Sequence, residues 1–380
     1  MNKIIFVFSM FTYNEYQQGI TNTNSHVFNW LKNRSDVDKI YFIDFNRVGF
    51  IGKLKYFIKA KLSSQLNMLT ISYQVNKIDN KLFHYAGVSY SGINKIIHKI
   101  NQNEIELWSF NPLDISFLDV KKGLKVFYTI DDWRKNISFK PYTNKLESNY
   151  NLINAKVNHI FVNNIKLKEN IFNNSKKVHL IPNGVDINHY KSCKETKAEI
   201  INKIDNKIQK TNKPIIGYMG VINPDRIDFE LVKQCLIDNP DKEFVFAGPV
   251  WGGFKSESLI NEYSNIKFIG PVYYEELPYL FSQYDVCLIP HYTNEFIQSM
   301  NPKKMYEYLA SGKPVVTTPV SGTDIFSKVL YISNSNKDFS NKISEALDEN
   351  NEEQVSIRQK SVIPHDWNER FKMINKIINQ

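Results

Sequence analysis

Short apolar runs alternate with amphipathic stretches over the whole chain. Residues 3–10 are almost wholly apolar and predict a central parallel strand buried on both faces. A helix is predicted over 25–32, with Val27, Phe28 and Leu31 inward. Strands are predicted at 40–45, 69–75, 82–85 and 106–109, and Ile93, Ile96, Ile97 and Ile100 line one side of a helix. Strand 125–130, helix 150–157, strand 159–162, helix 166–172 and strand 178–181 complete the first half. Beyond a Lys/Asn-rich run at 187–213, apolar stretches at 214–219, 244–247, 266–269, 286–289 and 315–318 repeat the strand signal. Residues 357–380 read as closing helices. Such alternation predicts an α/β protein with open, mostly parallel sheets.

The most informative stretch runs from Ser299 to Val316. It reads as a loop, a helix, a turn and a strand. Pro302 suits the first helical position, Met305, Tyr308 and Leu309 share one face, and Gly312 with Pro314 ends the helix. The helix start offers unpaired N–H groups and the positive end of its dipole beside Lys303 and Lys304, an arrangement suited to phosphate. Glu307 lies one turn in. A carboxylate there repels phosphate but accepts hydrogen bonds from sugar hydroxyls, so a diphosphate carrying a ribose satisfies both halves.

Pro302, Lys304, Glu307-Tyr308 and Leu309-Ala310-Ser311-Gly312-Lys313-Pro314-Val315-Val316 resemble the donor-site signature of GT-B glycosyltransferases that use nucleotide-sugars. Three further features resemble the family in the same order. They are Gly217-Tyr218-Met219-Gly220 with Arg226 six positions on, Phe246-Ala247-Gly248-Pro249 with Ile269-Gly270-Pro271-Val272, and Tyr284 to Pro290. The resemblance implies that Glu307 binds the ribose, that Arg226 and Lys304 meet the diphosphate, and that backbone near Val272 holds the base edge. Gly220, Ser299, Met300 and Asn301 complete the implied donor-binding set. Ser299 stands where larger retaining families carry a glutamate that touches the donor sugar, which leaves sugar and stereochemistry open. The branch it fits better resembles teichuronic-acid and other surface-polysaccharide transferases.

The resemblance also implies an architecture of two Rossmann-like domains facing a central cleft that closes on the donor. Residues 1–186, ending in Ile181-Pro182-Asn183-Gly184-Val185-Asp186, would be the acceptor-binding domain, and 187–213 a linker with room for a helix. Residues 214–362 would bind the nucleotide-sugar. Residues 363–380 would form a helix returning to the first domain through Trp367 and the Phe371, Ile374, Ile377, Ile378 stripe.

Asp131-Asp132 ends a strand of the first half, where open α/β sheets bind ligands. One of the two carboxylates would deprotonate an acceptor hydroxyl, Asp132 before Asp131, while the other orients it or caps the next turn. Two turn residues beside a Trp133 packing anchor is the plainer reading. His26, Asp114 and Asn111-Pro112 are weaker candidates for the acceptor side. The adjacent Asp pair lacks Asp-x-Asp metal spacing, so no metal is expected. No G-x-G-x-x-G follows the first strand, which disfavours a dinucleotide oxidoreductase.

Composition changes this picture in one respect. The 380 residues carry a net charge of +9, with 42% hydrophobic and 23% charged residues, as in a globular protein of two domains. Through Val185 there are 25 Lys/Arg against 13 Asp/Glu, and from Asp186 onward 23 against 26, so the positive excess sits in the first half. Residues 50–62 place Phe50, Ile51, Leu54, Phe57, Ile58 and Leu62 on one helical face flanked by Lys53, Lys55, Lys59 and Lys61. An ordinary core-facing helix explains that pattern, and so does a helix resting on an anionic membrane where a lipid-linked acceptor waits. No apolar run approaches the roughly 20 residues of a membrane span. Cys193, Cys235 and Cys287 fit neither zinc spacing nor a disulfide framework and suggest a reducing compartment.

The expected function is transfer of a sugar from a nucleotide-sugar, UDP-linked, to a saccharide or lipid-linked saccharide acceptor in bacterial surface polysaccharide synthesis. No cofactor and no nucleic-acid partner are expected, and the site of action is the cytoplasm or the inner face of the plasma membrane. A GT-B epimerase, or a non-catalytic protein that binds nucleotide-sugar or saccharide, is the alternative.

Overall fold

The computed structural model describes residues 2–19, 22–44, 73–87, 91–100, 104–191, 196–209 and 211–380. The chain forms two compact units that divide between Ile181 and Pro182, ahead of the Asp186 boundary expected from the sequence. The 50–62 segment, with Lys53, Lys55, Lys59 and Lys61, lies outside the described residues, as does Cys193.

In the first unit, strands β1 (Lys3–Phe8), β2 (Val37–Ile43), β3 (Tyr73–Lys77), β4 (Leu82–Gly87), β5 (Glu104–Ser109), β6 (Leu124–Thr129), β7 (His159–Val162) and β8 (Val178–Leu180) make one sheet. Their order is β3-β4-β2-β1-β5-β6-β7-β8, and every pairing is parallel except the antiparallel edge pair β3–β4. The apolar run of β1 is explained by its central place, with Ile5 and Phe6 fully buried between β2 and β5. The Thr23–Asn33 helix buries the expected Val27, Phe28 and Leu31 and starts on an Asn22–Ser25 capping box. The Thr143–Lys156 helix begins a full turn and more before the predicted start, because its first turns are polar and only Leu146, Asn149, Tyr150 and Ile153 are buried.

At the amino ends of this sheet, Glu106 receives both Arg34 Nη1 (2.8 Å) and Nη2 (3.0 Å), Lys3 Nζ (3.0 Å) and Trp108 Nε1 (2.9 Å). Arg34 also grips the more exposed Asp36 through Nε and Nη2. This ion-paired, hydrogen-bonded network satisfies a carboxylate that would otherwise be a costly buried charge.

The second unit contains β9 (Ile215–Met219), β10 (Glu243–Ala247), β11 (Ile266–Gly270), β12 (Val286–Ile289), β13 (Val315–Thr317) and β14 (Tyr331–Ile332), in the all-parallel order β11-β10-β9-β12-β13-β14. The strand order reverses between β9 and β12. The carboxyl ends of those two strands therefore flank the crevice where open α/β sheets take ligands. Helices Ile187–Lys191 and Ala198–Ile208 occupy the stretch expected as linker, and the second packs Ile204 and Ile208 into this unit's core. The Trp367–Ile378 helix belongs to the second unit by its contacts: Trp367 N–H donates to Val185 O at 3.1 Å, and Val185 N–H to His365 O at 3.0 Å. No helix among the described residues is long and apolar enough to cross a membrane.

Candidate functional site

The Lys303–Ala310 helix arrives at the reversal point of the second sheet. Pro302 is its N-cap rather than its first helical residue, and it makes no side-chain cap bond. Proline lacks an N–H and fixes φ, so the chain turns into the helix there without an unsatisfied donor. The helix is buried on almost every side, from Met305 through Ala310. Tyr308 Oη accepts the Met219 N–H at 2.8 Å and so ties the helix to β9.

Beyond β9, Gly220 has φ +142, and so does Gly248 beyond β10. A Cβ on Gly248 would lie 1.9 Å from Gly220 O, and one on Gly220 would lie 2.8 Å from Lys304 Nζ. Glycine at both positions lets the two strand ends and the lysine converge. Lys304 Nζ sits 3.9 Å from the centre of the Tyr218 ring and 3.4 Å from His291 Nε2. Arg226, on the turn after Gly220, has its guanidinium 5.6 Å from the Phe296 ring. Neither Arg226 nor Lys304 has a carboxylate ion-pair partner among the described residues. Burial, then the charge of Arg226, pushes the Lys304 ammonium well below the usual lysine range, against the pull of Glu307. Burial, then Lys304 and Arg226, likewise holds His291 far below its ordinary value, so its imidazole is neutral. Two neighbouring cations without a carboxylate ion-pair partner favour an anion.

Glu307 is buried and takes Lys303 Nζ at 2.8 Å. Burial and then the Glu307 charge raise the phenols of Tyr190 and Tyr274 above their ordinary value. Lys303 Nζ also lies 5.7 Å from the Tyr274 ring, which stacks on His189 at 3.9 Å. The two lysines therefore separate: Lys303 holds the carboxylate, and Lys304 joins Arg226.

The remaining predicted donor residues divide. Val272 packs half-buried on the core. Met300 also packs against that core. Ser299 Oγ donates to Phe296 O at 2.7 Å, closing the Glu295–Gln298 helix. Asn301 Oδ1 accepts the Asn183 N–H at 3.1 Å, and Asn301 O accepts Asn183 Nδ2, which fastens residues 182–186 to the loop before the helix. His291 was not predicted. Only its place after β12, at the sheet reversal, signals it, and strand order is not written in local sequence. Among the described residues no group of three or more His, Cys, Asp and Glu side chains is placed to hold a metal ion.

In the first unit, Asp131 and Asp132 are both buried beyond β6, next to β5 in the sheet. The reversal there falls between β1 and β5, one strand away. Asp132 Oδ1 accepts Arg134 N–H (3.1 Å) and Nε–H (2.9 Å), and Oδ2 accepts Nη2–H (2.9 Å). The pair thus shapes the turn it sits in. Trp133 packs edge-on against Phe139 at 5.1 Å. Asn111 Oδ1 and Asp114 Oδ1 cap their own turns through Leu113 and Ser116 N–H. His26 is half-buried on the Thr23–Asn33 helix.

Residues 213–349 match the family described as Glycosyl transferases group 1. This stretch is a group 1 glycosyl transferase domain. Arg226, Val272, His291, Lys304 and Glu307 all lie within it. A Bacillus subtilis (strain 168) protein, provisionally described as the teichuronic acid biosynthesis glycosyltransferase TuaH, is 27% identical over 207 residues. That match covers 53% of this chain and half the length of TuaH.

Solved structures resemble the chain from end to end. Anabaena HepE, in complex with UDP and glucose, has a TM-score of 0.66 at 15% identity, covering 100% of both chains. The UDP-forming α,α-trehalose-phosphate synthase of Burkholderia vietnamiensis has a TM-score of 0.68 at 10% identity, covering 100% of this chain and 99% of that one. These likenesses show the fold. Together with the group 1 domain, they give the chain the GT-B architecture that its sequence predicted, two α/β units with mostly parallel sheets.

Proposed function

We propose that this chain transfers a sugar from a UDP-linked donor to a saccharide or lipid-linked saccharide acceptor in bacterial surface polysaccharide synthesis. The observation that carries the reading is the convergence of Arg226 and Lys304, both without a carboxylate partner, beside the buried Glu307 at the sheet reversal. The cations and the amino end of the Lys303–Ala310 helix would neutralise the diphosphate as it leaves, work that needs no divalent ion. Glu307 would accept from the ribose hydroxyls, with Lys303 yielding its place or sharing it. Support for a UDP donor comes from HepE in complex with UDP and glucose, and support for the polysaccharide role from TuaH.

The acceptor side is proposed to lie in the first unit near Asp131-Asp132. Arg134 engages both oxygens of Asp132, and Asp131 beside it is proposed to accept the acceptor proton in an inverting reaction. The basic excess before Asp186 supports work at the inner face of a plasma membrane. Incubation with a panel of nucleotide-sugars, followed for release of free nucleotide, tests the donor. Release from UDP-sugars above the others is expected, and no release from any of them would refute the proposal.

A further inference from the structure

His291 has no role in the donor site as described so far, yet it is among the most deeply buried polar side chains of the second unit, 3% exposed. Its Nε2 faces Lys304 Nζ at 3.4 Å, while its Nδ1 is buried with no hydrogen-bond partner. Packing alone does not require that arrangement, because leucine fills a similar volume without an orphaned nitrogen. An ammonium has three N–H groups. For Lys304 one is directed at His291 Nε2, the Tyr218 ring face lies 3.9 Å from the nitrogen, and Gly220 leaves the strand end bare beside it.

We propose that His291 is a positioning residue, which takes one N–H of Lys304 on Nε2 and so aims the ammonium, with its charge intact, at a nucleoside diphosphate. The idea rests on the donor-site reading above. A carboxylate in that position would orient the lysine equally well but would neutralise it, and the incoming phosphate would then meet an ion pair instead of a cation. A neutral imidazole orients without neutralising. The surrounding charges keep it neutral: Arg226 from the turn after β9 and Lys304 from the helix disfavour an imidazolium, while Tyr218 on β9 supplies an uncharged ring and Glu307 acts on Lys304 from one turn away. Thr318 Oγ1 donates to the His291 carbonyl at 2.7 Å and holds the backbone of this residue from β13's end.

The test uses the full chain, with UDP and uridine as calorimetric probes, and the variants His291→Leu, His291→Gln, Lys304→Met and His291→Leu combined with Lys304→Met. His291→Leu should weaken UDP binding about tenfold, the order of one hydrogen bond to a charged group, and leave uridine binding unchanged. His291→Gln, whose amide oxygen can take the place of Nε2, should recover most of that loss. In the Lys304→Met background His291→Leu should cost nothing further. Above neutral pH, where the terminal phosphate is already ionised, UDP affinity should fall as Lys304 loses its proton. That fall should move to lower pH in His291→Leu, because the lost acceptor had favoured the ammonium, and return in His291→Gln. UDP binding at wild-type strength in His291→Leu overturns the proposal, as does equal loss of uridine and UDP binding, or an undiminished effect in the Lys304→Met background. A wild-type chain that binds no nucleoside diphosphate overturns the donor-site reading and this inference with it.

Discussion

Tyr308 Oη accepts the Met219 N–H at 2.8 Å and lies 3.5 Å from Met219 O, which ties the helix bearing Lys304 and Glu307 to the strand that ends just before Gly220. Met219 is the last residue of β9, so its N–H lies just before the ligand-facing edge. Tyr308→Phe leaves that part-buried donor without its hydroxyl partner. A loss of roughly 1–3 kcal/mol in unfolding free energy is expected, read from urea denaturation. UDP affinity should fall as well, because Lys304 loses its register against Gly220.

Glu307→Ala removes the carboxylate proposed for the ribose and leaves Lys303 without its 2.8 Å partner. UDP binding should weaken by about 1.5–3 kcal/mol, the value of a hydrogen bond to a charged group, and transfer should be lost. Inorganic pyrophosphate, which has no ribose, should bind the variant no more weakly than it binds the wild type. Calorimetry with both ligands separates the two contributions.

Arg226→Ala and Lys304→Ala should each weaken UDP while leaving uridine binding as in the wild type, since both cations are assigned to phosphate. Removing Arg226 also relieves the repulsion that lowers Lys304. In Arg226→Ala the loss of UDP affinity at alkaline pH should therefore begin at higher pH than in the wild type.

Acid should destabilise the first unit through Asp36 and Glu106. Hydrogen bonds from Arg34 hold Asp36 at about 2, against a reference of 3.8. Burial alone would raise Glu106, but Arg34, Trp108 and Lys3 outweigh it and hold it low. A depressed carboxyl stabilises the fold fully above its unfolded value and stops doing so as pH falls through the folded one. The urea midpoint should thus drop as pH is lowered from 3.8 toward 2, and Arg34→Met should flatten that dependence while lowering stability at neutral pH.

Asp131→Asn and Asp132→Asn should differ. Asp132→Asn loosens the turn held by Arg134, so Arg134→Met should reproduce its loss of stability. Asp131→Asn should keep UDP affinity and lower turnover by about 10²-fold or more, as for a missing general base. Equal turnover in Asp131→Asn and the wild type, with the fold intact, would remove the base from this position.

The sequence by itself determined the α/β class, most of the strands, and the loop–helix–turn–strand of residues 299–316. Those features rest on short-range rules: apolar runs, helical spacing, Pro at a helix start and Gly at its end. It also singled out Lys304 and Glu307 by their places in the first turns of a helix, and Arg226 through the resemblance to GT-B donor sites. Only the tertiary structure decided which partner each charge takes. Lys303 and Lys304 are adjacent in sequence, but successive helical residues point about 100° apart, and one meets Glu307 while the other meets Tyr218 and His291. Asp132, a candidate base at a strand end in the sequence, is met on both carboxylate oxygens by Arg134, two residues on. His291 became visible only when strand order brought the end of β12 beside the end of β9, 71 residues apart in sequence at Gly220 and His291 but neighbours at the sheet reversal. Local pattern specifies elements; long-range pairing decides which of their ends meet, and a binding site is made of ends that meet.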